Sequence, residues 1–172
     1  LSSTTSNYYG YEVSGAGLFD GFIDIYVSGG ESPYIYSWTA VNEEGEEIII
    51  TSENQDLDNP GDLINLVAGF YTLTVTDNLL CSQTFDAILL SSPPLLEIIN
   101  DDLLQLQYSG YGVSCNDYED GEINITVTGG VIPLEYVWTN EDGEIISNEE
   151  DLSELSAGTY SINITDLNGN ED

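Results

Sequence analysis

The sequence predicts an all-β protein made of two tandem β-sandwich domains, the second of which lacks its last strand. Three observations lead to this prediction. Apolar and polar residues alternate over several short segments, as they do in half-buried strands. The first half of the chain recurs in the second half. No stretch has the 3.6-residue period of an amphipathic helix, and Gly-Gly, Asp-Gly and Asn-Gly pairs favour tight turns between the strands.

The internal duplication is visible in four segments. Three of them recur 100 positions later: Gly10–Ser14, Asp20–Gly30 and Pro33–Thr39. The fourth, Leu66–Asp77, recurs only 89 positions later, as Leu155–Asp166. The second copy is therefore 11 residues shorter between its Trp and its Leu. The corresponding stretch of the first copy, Glu43–Asn65, is polar, as expected of a surface loop that tolerates deletions.

The strands of each copy follow in chain order from the alternation. Their inward faces in the first copy are predicted to carry Ile23, Ile25 and Val27, then Tyr34, Tyr36 and Trp38, and then Tyr71, Leu73 and Val75. A further strand is expected over residues 84–90. The second copy repeats the first three patterns around Ile125, Tyr136 and Ile162. Each copy is therefore expected to fold as several short antiparallel strands.

Two aromatic positions refine the architecture. Trp38 and Trp138 lie in predicted central strands. A Leu-x-x-Gly-x-Tyr motif leads into a later strand and ends at Tyr71 in the first copy; the related motif of the second copy ends at Tyr160. A buried Trp and a tyrosine corner at these places are typical of immunoglobulin-like sandwiches. The predicted fold is therefore two tandem immunoglobulin-like β-sandwiches.

The boundary between the domains is predicted at Ser91–Pro94, because paired prolines stiffen a linker and cannot lie in a central strand. The domains would span residues 1–92 and 93–172, and residues 95–107 would supply the first strand or strands of the second. The sequence reaches Asp172 before any counterpart of the last strand of the first domain. We expect further chain or a neighbouring chain to complete this sheet, since an unpaired edge would otherwise be exposed.

The charge of the chain excludes several classes of function. The sequence contains 32 Asp and Glu residues and no Lys, Arg or His, so its formal net charge at pH 7 is −32. Nucleic-acid binding needs Lys or Arg to displace phosphate counterions, and an anionic membrane would repel this surface. A Ser-His-Asp triad and a Lys Schiff base cannot be assembled. A pair of carboxylates could serve a carbohydrate-active enzyme, but no pair stands out, so this remains a distant alternative.

Calcium is the cofactor that the acidic residues favour, because it takes several oxygen ligands. Residues 116–121 have the alternating oxygen-bearing side chains that open a calcium loop, but position 12 of that loop would be Val127, which excludes an EF-hand. The candidate ligands are Asn116, Glu119 and Asp120, together with Asp20, Asp77 and Asp166. The alternative is that each Asp forms a turn through a hydrogen bond between its side chain and the main chain.

Tyrosines near the start of each copy form a candidate contact surface for adhesion, with surface glycans as a possible partner class. They are Tyr8, Tyr9, Tyr11, Tyr108 and Tyr111. The alternative is that these rings pack on the end of each sandwich.

The repeat resembles a known family. Asp-Gly and an alternating strand lead into Gly-Gly-x-x-Pro-Tyr-x-Tyr-x-Trp, and later into Leu-x-Ala-Gly-x-Tyr-x-x-x-x-Thr-Asp. This combination resembles the SprB repeat of gliding-motility adhesins and other giant surface proteins of the Bacteroidetes, and is more loosely similar to polycystic-kidney-disease-type domains. The resemblance implies an exported, non-enzymatic stalk or adhesin segment on the outer cell surface, with neighbouring repeats or identical subunits as partners. The alternative is a filament subunit completed by a strand from its neighbour.

The two cysteines depart from the family pattern. The resemblance implies one Cys shortly before the Asp-Gly pair and another after the Asp at the end of the later strand. Cys115 fills the first position of the second copy and Cys81 fills the second position of the first copy, while Gly15 and Asn170 occupy the others. Since neither copy holds a complete pair, the thiols are either free or joined by a disulfide between the domains.

Overall fold

The computed structural model describes residues 1–99 and 112–172. Regular structure in these ranges consists of β-strands and one short 3₁₀ turn, so the prediction of an all-β fold is confirmed. The chain divides into two compact units, Leu1–Pro93 and Pro94–Asp172, which we name unit 1 and unit 2. Within the described ranges, no helix has the length and apolar character needed to cross a membrane.

Unit 1 consists of two antiparallel sheets. Its strands are β1 (Ser2–Thr5), β2 (Gly21–Tyr26), β3 (Ile35–Val41), β4 (Glu47–Ile48), β5 (Leu63–Leu66), β6 (Gly69–Thr76), β7 (Ser82–Thr84) and β8 (Ile88–Leu90), and the 3₁₀ turn spans Ser52–Asn54. One sheet has the order β1-β2-β5. The other has the order β4-β3-β6-β7, with β8 also paired to β6.

The core of unit 1 is built from both sheets, because each strand turns alternate side chains inward. In β6, the longest strand, Tyr71, Leu73 and Val75 are buried while the residues between them are more exposed. The core cluster joins side chains of the two sheets and the adjoining loop: Val13, Ile23, Ala40, Leu63, Leu66, Tyr71 and Leu90. The predicted period-two alternation in β2 and β6 is therefore confirmed.

Unit 2 repeats much of this plan, and several of its strands are shorter than their counterparts. They are β9 (Glu97–Ile98), β10 (Gly121–Ile123), β11 (Val127–Thr128), β12 (Glu135–Thr139), β13 (Ile145–Ser147), β14 (Leu152–Leu155) and β15 (Ser161–Thr165). The described pairings are β10 with β14, β9 with β11, and β13-β12-β15. The core cluster contains Leu96, Ile125, Trp138, Leu152 and Ile164.

Two strand predictions need correction. The strand expected over residues 84–90 is shorter, because β8 accounts only for Ile88–Leu90 and pairs with the beginning of β6. Thr84 is the last residue of β7, which pairs with the end of β6. The second copy of the β2 pattern is also split, into β10 and β11. In unit 1 the corresponding strand is continuous because β1 pairs along Ile23–Tyr26. Of the strand expected over residues 95–107, β9 accounts for Glu97–Ile98, and residues 100–111 lie outside the described ranges.

The length difference between the copies is divided between two places. Asn42 and Asn140 form the same turn, in which each Oδ1 accepts a hydrogen bond from the backbone N–H of Glu46 (2.8 Å) or Glu144 (2.9 Å). These turns are 98 positions apart, whereas the strands before them are 100 apart. Two of the 11 residues are therefore lost before the turn and nine after it, where unit 1 contains the 3₁₀ turn.

Candidate functional site

An aspartate at the end of the central strand ties down the neighbouring loops in unit 1. Asp77 follows β6 and is almost fully buried. Its Oδ1 accepts hydrogen bonds from the backbone N–H groups of Leu79 and Cys81, both at 2.9 Å. Its Oδ2 accepts one from the N–H of Glu31 at 3.3 Å, beside the Gly-Gly turn after β2. We call this arrangement the Asp77 clasp, because one carboxylate joins two loops.

The same clasp is present in unit 2, after β15. Oδ1 of Asp166 accepts hydrogen bonds from the backbone N–H groups of Asn168 and Asn170, both at 2.9 Å. Oδ2 accepts from the N–H of Val131 and from Nδ2 of Asn170, again at 2.9 Å. Asn170 occupies the position of Cys81, so unit 2 gains a side-chain donor where unit 1 has a thiol.

These donors keep both carboxylates ionised. The hydrogen bond from the Cys81 N–H is the main reason why the pKa of Asp77 lies below its usual value. Burial of Asp166 acts in the opposite direction, but the hydrogen bonds from the Asn170 side chain and from the backbone outweigh it and lower the pKa of Asp166 as well. Both oxygens of each carboxylate accept N–H donors, so each clasp holds its loops together by direct hydrogen bonds.

The Asp-Gly pair at the start of β2 and β10 has two structural roles. Asp20 accepts hydrogen bonds from the backbone N–H of Ser14 (3.1 Å) and from the Ser14 hydroxyl, and Asp120 accepts from the N–H of Ser114 at 3.0 Å. A Cβ on Gly21 would lie 3.0 Å from the carbonyl oxygen of Leu66 in the adjacent strand. The Asp therefore closes the loop before the strand, and the Gly permits close approach of the strand to its neighbour.

Calcium binding stays a prediction. In residues 1–99 and 112–172, no group of three or more His, Cys, Asp or Glu side chains is placed to hold a metal ion. Among the candidate ligands, Asn116 and Glu119 are exposed, whereas Asp20, Asp77, Asp120 and Asp166 accept main-chain N–H groups. This hydrogen bonding to the main chain agrees with the alternative that the sequence left open for these Asp residues.

A tryptophan and an aspartate connect the two sheets in unit 1. Nε1 of Trp38 donates to the carbonyl oxygen of Gly61 at 2.8 Å. The next residue, Asp62, uses Oδ1 to accept a hydrogen bond from the N–H of Ile25 in β2 at 2.8 Å. The loop before β5 is thereby attached to the Trp of β3 on one side and to β2 on the other.

Unit 2 contains the same connection, which the sequence did not single out. Nε1 of Trp138 donates to the carbonyl oxygens of Glu149 (3.0 Å) and Glu150 (3.3 Å), and Oδ1 of Asp151 accepts from the N–H of Ile125 at 2.9 Å. Asp151 follows Asp62 by 89 positions, the same offset as the two clasps. The shared offset could have identified Asp62 and Asp151 as equivalent residues. It could not identify their hydrogen-bond partners, because these are distant in sequence.

The contact predicted from the Leu-x-x-Gly-x-Tyr motif is present in both units. The hydroxyl of Tyr71 donates to the carbonyl oxygen of Val67 at 2.9 Å, and that of Tyr160 donates to Ser156 at 2.9 Å. Tyr71 is fully buried, and burial raises its pKa to about 12. Each tyrosine therefore pins the chain that leads into its strand.

The described tyrosines of the predicted contact surface differ in exposure. Tyr8 and Tyr11 are paired through their backbones and are half-buried, and the Tyr8 hydroxyl donates to the carbonyl oxygen of Asp20 at 3.1 Å. Tyr9, at the tip of this turn, has 68 % of its surface exposed. The other two, Tyr108 and Tyr111, lie outside the described residues. Tyr9 is thus the ring that this turn presents to solvent.

The two cysteines are both exposed, free thiols. The backbone N–H of Cys81 serves the Asp77 clasp, while its side chain lines a small cleft beside β7. The disulfide between the domains that the sequence left open as an alternative stays a prediction.

Unit 2 has an open cleft of about 570 Å³ with a strongly acidic lining. Its carboxylates are those of Glu119, Glu141, Asp142, Glu149, Asp151 and Glu154. Of these, Glu119 is a predicted calcium ligand, and Asp151 is committed to the N–H of Ile125. The cleft thus brings one predicted ligand together with acids that the sequence did not single out.

A comparison with known families finds a match in unit 2. Residues 113–143 match the model of the SprB repeat. No curated protein and no solved structure matches the chain. The matched segment contains the Asp-Gly pair, the Gly-Gly turn, Trp138 and Asn140, each of which has a counterpart in unit 1. Unit 2 is therefore similar to the SprB repeat over this segment.

Proposed function

We propose that this chain is a non-enzymatic tandem-repeat segment of an exported cell-surface protein, in which it forms part of a stalk or adhesin. The observation that carries the proposal is the repetition of one set of structural contacts in both units, one of which matches the SprB repeat. The clasps of Asp77 and Asp166 and the tyrosine contacts recur at the same offset. A repeated module whose shared residues are structural suits a protein that acts as a stalk or presents a binding surface.

A non-enzymatic role agrees with the chemistry of the recurring residues. The Asp, Trp and Tyr side chains shared by the two units bind main-chain atoms, as in the bond from Trp38 to Gly61 and that from Ile25 to Asp62. The chain also contains no His, Lys or Arg to act as a base, a nucleophile or an electrostatic clamp. The residues that were duplicated are thus those that maintain the fold.

An extracellular location agrees with the charge. Each carboxylate must be balanced by solvent cations or by separation, because the sequence offers no basic side chain as a partner. A surface with a net charge of −32 is soluble and repels its own copies, which suits repeats that are displayed side by side on a cell.

Protease treatment of intact cells tests the location, and the composition provides a matched control. Trypsin has no cleavage site in this segment, whereas a glutamate-specific protease has many. We expect an antibody against the segment to lose its signal after treatment of intact cells with the glutamate-specific enzyme, while trypsin leaves the epitope itself uncut. A signal that survives until the cells are lysed would place the segment inside the cell and contradict the proposal.

The adhesive role has its own test, at the exposed ring of Tyr9. Beads coated with the chain should attach to a glycan-bearing surface, and Tyr9→Ser should reduce attachment without changing the circular dichroism spectrum. Tyr26→Ser is the matched control, because Tyr26 is exposed to 69 % but lies on β2, away from the turn. Equal attachment by all three proteins would remove Tyr9 from the proposed contact surface.

A further inference from the structure

The Gly-Gly turn of unit 2 is covered by the segment that leads into that unit. The N–H of Gly130 donates to the carbonyl oxygen of Pro94 at 3.0 Å. Two residues on, Leu96 is buried to 94 % in the core cluster with Trp138 and Ile164. Next, β9 pairs antiparallel with β11, with Ile98 opposite Val127. The Pro94–Ile98 segment therefore fills a slot at the end of the sandwich with main-chain pairing and one leucine.

The equivalent turn of unit 1 lacks this cover. A Cβ built on Gly129 would overlap the carbonyl oxygen of Leu95, whereas one built on Gly29 meets no atom within 4 Å. A Cβ on Gly130 would lie 2.9 Å from the side chain of Leu96, whereas on Gly30 its nearest neighbours would be atoms of Asp77 and Tyr34. Among the described residues, the N–H of Gly30 has no hydrogen-bond partner.

An open cleft in unit 1 lies at the place where Pro94–Ile98 packs in unit 2. It has a volume of about 210 Å³, and Val27, Gly30, Tyr34, Val75 and Asp77 contribute to its lining. Their counterparts in unit 2 are the residues around Leu96: Val127, Gly130, Leu134, Ile164 and Asp166. The cleft is smaller than the roughly 300–1,000 Å³ of most small-molecule sites, and its one charged lining group is the clasped carboxylate of Asp77. It is suited to an apolar side chain on an extended main chain.

The strand register defines the direction from which such a segment would enter. In unit 1, Ser2 of β1 lies opposite Tyr26, so the continuation of β1 places Leu1 opposite Val27. In unit 2, Ile98 is the residue opposite Val127. Leu1 thus corresponds to Ile98, and the position of Leu96 corresponds to a residue two places before Leu1.

We propose that the cleft of unit 1 is an acceptor site for an extended polypeptide segment that continues β1 on its N-terminal side and inserts a leucine over Gly30. The segment has the chemistry of Pro93–Glu97, and it adds main-chain hydrogen bonds to the end of β2 in the manner of β-strand addition. The inference depends on the comparison of the two units and is independent of the proposed surface role.

The test adds the missing segment to the whole chain. A copy of residues 92–97 is placed directly before Leu1, and amide hydrogen exchange is measured by NMR, with Gly130 as the internal reference. We expect exchange at Gly30 to slow by at least about tenfold relative to the unextended chain, because its N–H gains the acceptor that Gly130 has in Pro94. The matched control carries Leu96→Asp in the added copy alone, and it should leave Gly30 unprotected.

The other outcomes overturn the proposal. Unchanged exchange at Gly30 in the extended chain would mean that the cleft does not accept the segment. Equal protection with the Leu96→Asp copy would mean that the leucine is not the anchor. A third sample contains the unextended chain with a free peptide of residues 92–99. If the free peptide protects Gly30 from exchange and the attached copy does not, the donor is a separate molecule. That outcome would mean that β1 is not continued in the proposed way.

Discussion

Tyr71 shows how much of this fold depends on single polar atoms. Its ring is fully buried, and its hydroxyl finds the carbonyl oxygen of Val67 four residues upstream. Tyr160 makes the same bond to Ser156 from a half-buried ring. A buried hydroxyl without a partner would be costly, so the bond is required once the ring is inside.

The first prediction concerns this hydrogen bond. Tyr71→Phe should lower the free energy of unfolding at pH 7 by about 1 kcal/mol, measured by urea denaturation, because the ring still fills the core while the Val67 carbonyl loses its donor. Tyr160→Phe is the control and should cost less, since water can reach the Ser156 carbonyl, which belongs to an exposed residue. A Tyr71→Phe chain as stable as the parent would contradict this account.

The raised pKa of Tyr71 also predicts how alkaline pH changes the stability of the fold. The folded pKa of Tyr71 is raised from 10.0 to about 12, so the fold favours the neutral phenol. Its contribution is complete below pH 10 and is lost as the pH rises towards 12. The parent chain should therefore lose stability more steeply between pH 10 and 12 than Tyr71→Phe does.

Asp62 marks the limit of sequence reasoning at this scale. Its carboxylate binds the N–H of Ile25, 37 positions earlier in the chain. The Trp and Tyr positions could be identified because each belongs to a local motif with a known structural role. Asp62 and Asp151 belong to no such motif, and their partners are defined by the packing of one sheet on the other.

At the scale of elements, the clasps join segments that the strand ladder leaves unconnected. Asp77 links the loop after β6 to the turn between β2 and β3, and Asp166 does the same after β15. The alternation in the sequence was sufficient to predict β2, β3 and β6, because period two is a local property. It could not show that β7 ends at Thr84 and β8 begins at Ile88, since that separation depends on how each strand pairs with β6.

The second prediction concerns acid stability. The pKa of Asp77 is lowered from 3.8, so the clasp contributes fully above that pH and is lost as the pH falls through the folded value. Asp77→Asn should be less stable than the parent at pH 7, and the difference should shrink below pH 3.8, as measured by urea unfolding at each pH.

Repulsion among the acids requires a control for this experiment. Protonation also relieves the repulsion of a −32 chain, which favours the folded state as the pH falls. Asp86→Asn removes one charge from an exposed position and should not be destabilising at pH 7. If Asp86→Asn and Asp77→Asn changed the free energy of unfolding equally across the pH range, the hydrogen bonds of the clasp would not contribute to stability.

At the scale of the whole molecule, the net charge is the dominant physical fact. Repulsion between exposed carboxylates extends over roughly the Debye length, which is about 10 Å at 0.1 M salt and about 3 Å at 1 M. The folded chain concentrates these charges more than the unfolded chain does, so screening favours folding.

The third prediction is that salt stabilises the chain. Raising NaCl from 0.02 to 0.5 M should increase the melting temperature measured by circular dichroism. A screening gain of about 1 kcal/mol corresponds to about 4–8 °C for units of this size. A melting temperature that does not change with salt would contradict the view that repulsion limits stability.

Specific calcium binding can be distinguished from charge screening by comparing calcium chloride with sodium chloride at the same ionic strength. Calcium chloride that raises melting further than sodium chloride at equal ionic strength, with reversal by EDTA, would support a specific site among the predicted ligands. Equal effects of the two salts, with no effect of EDTA, would remove the specific site and leave screening alone.

The sequence by itself determined the all-β class, the duplication, the main strands of each copy and the tyrosine contacts, because all of these follow from local periodicity and short motifs. The tertiary structure decided what the repeated carboxylates do. Asp20, Asp62, Asp77 and their counterparts accept main-chain N–H groups, several of them from distant segments, and spacing alone cannot reveal such partners. It also placed Pro94–Ile98 over the Gly-Gly turn of unit 2, since such cover depends on which segment packs against the turn.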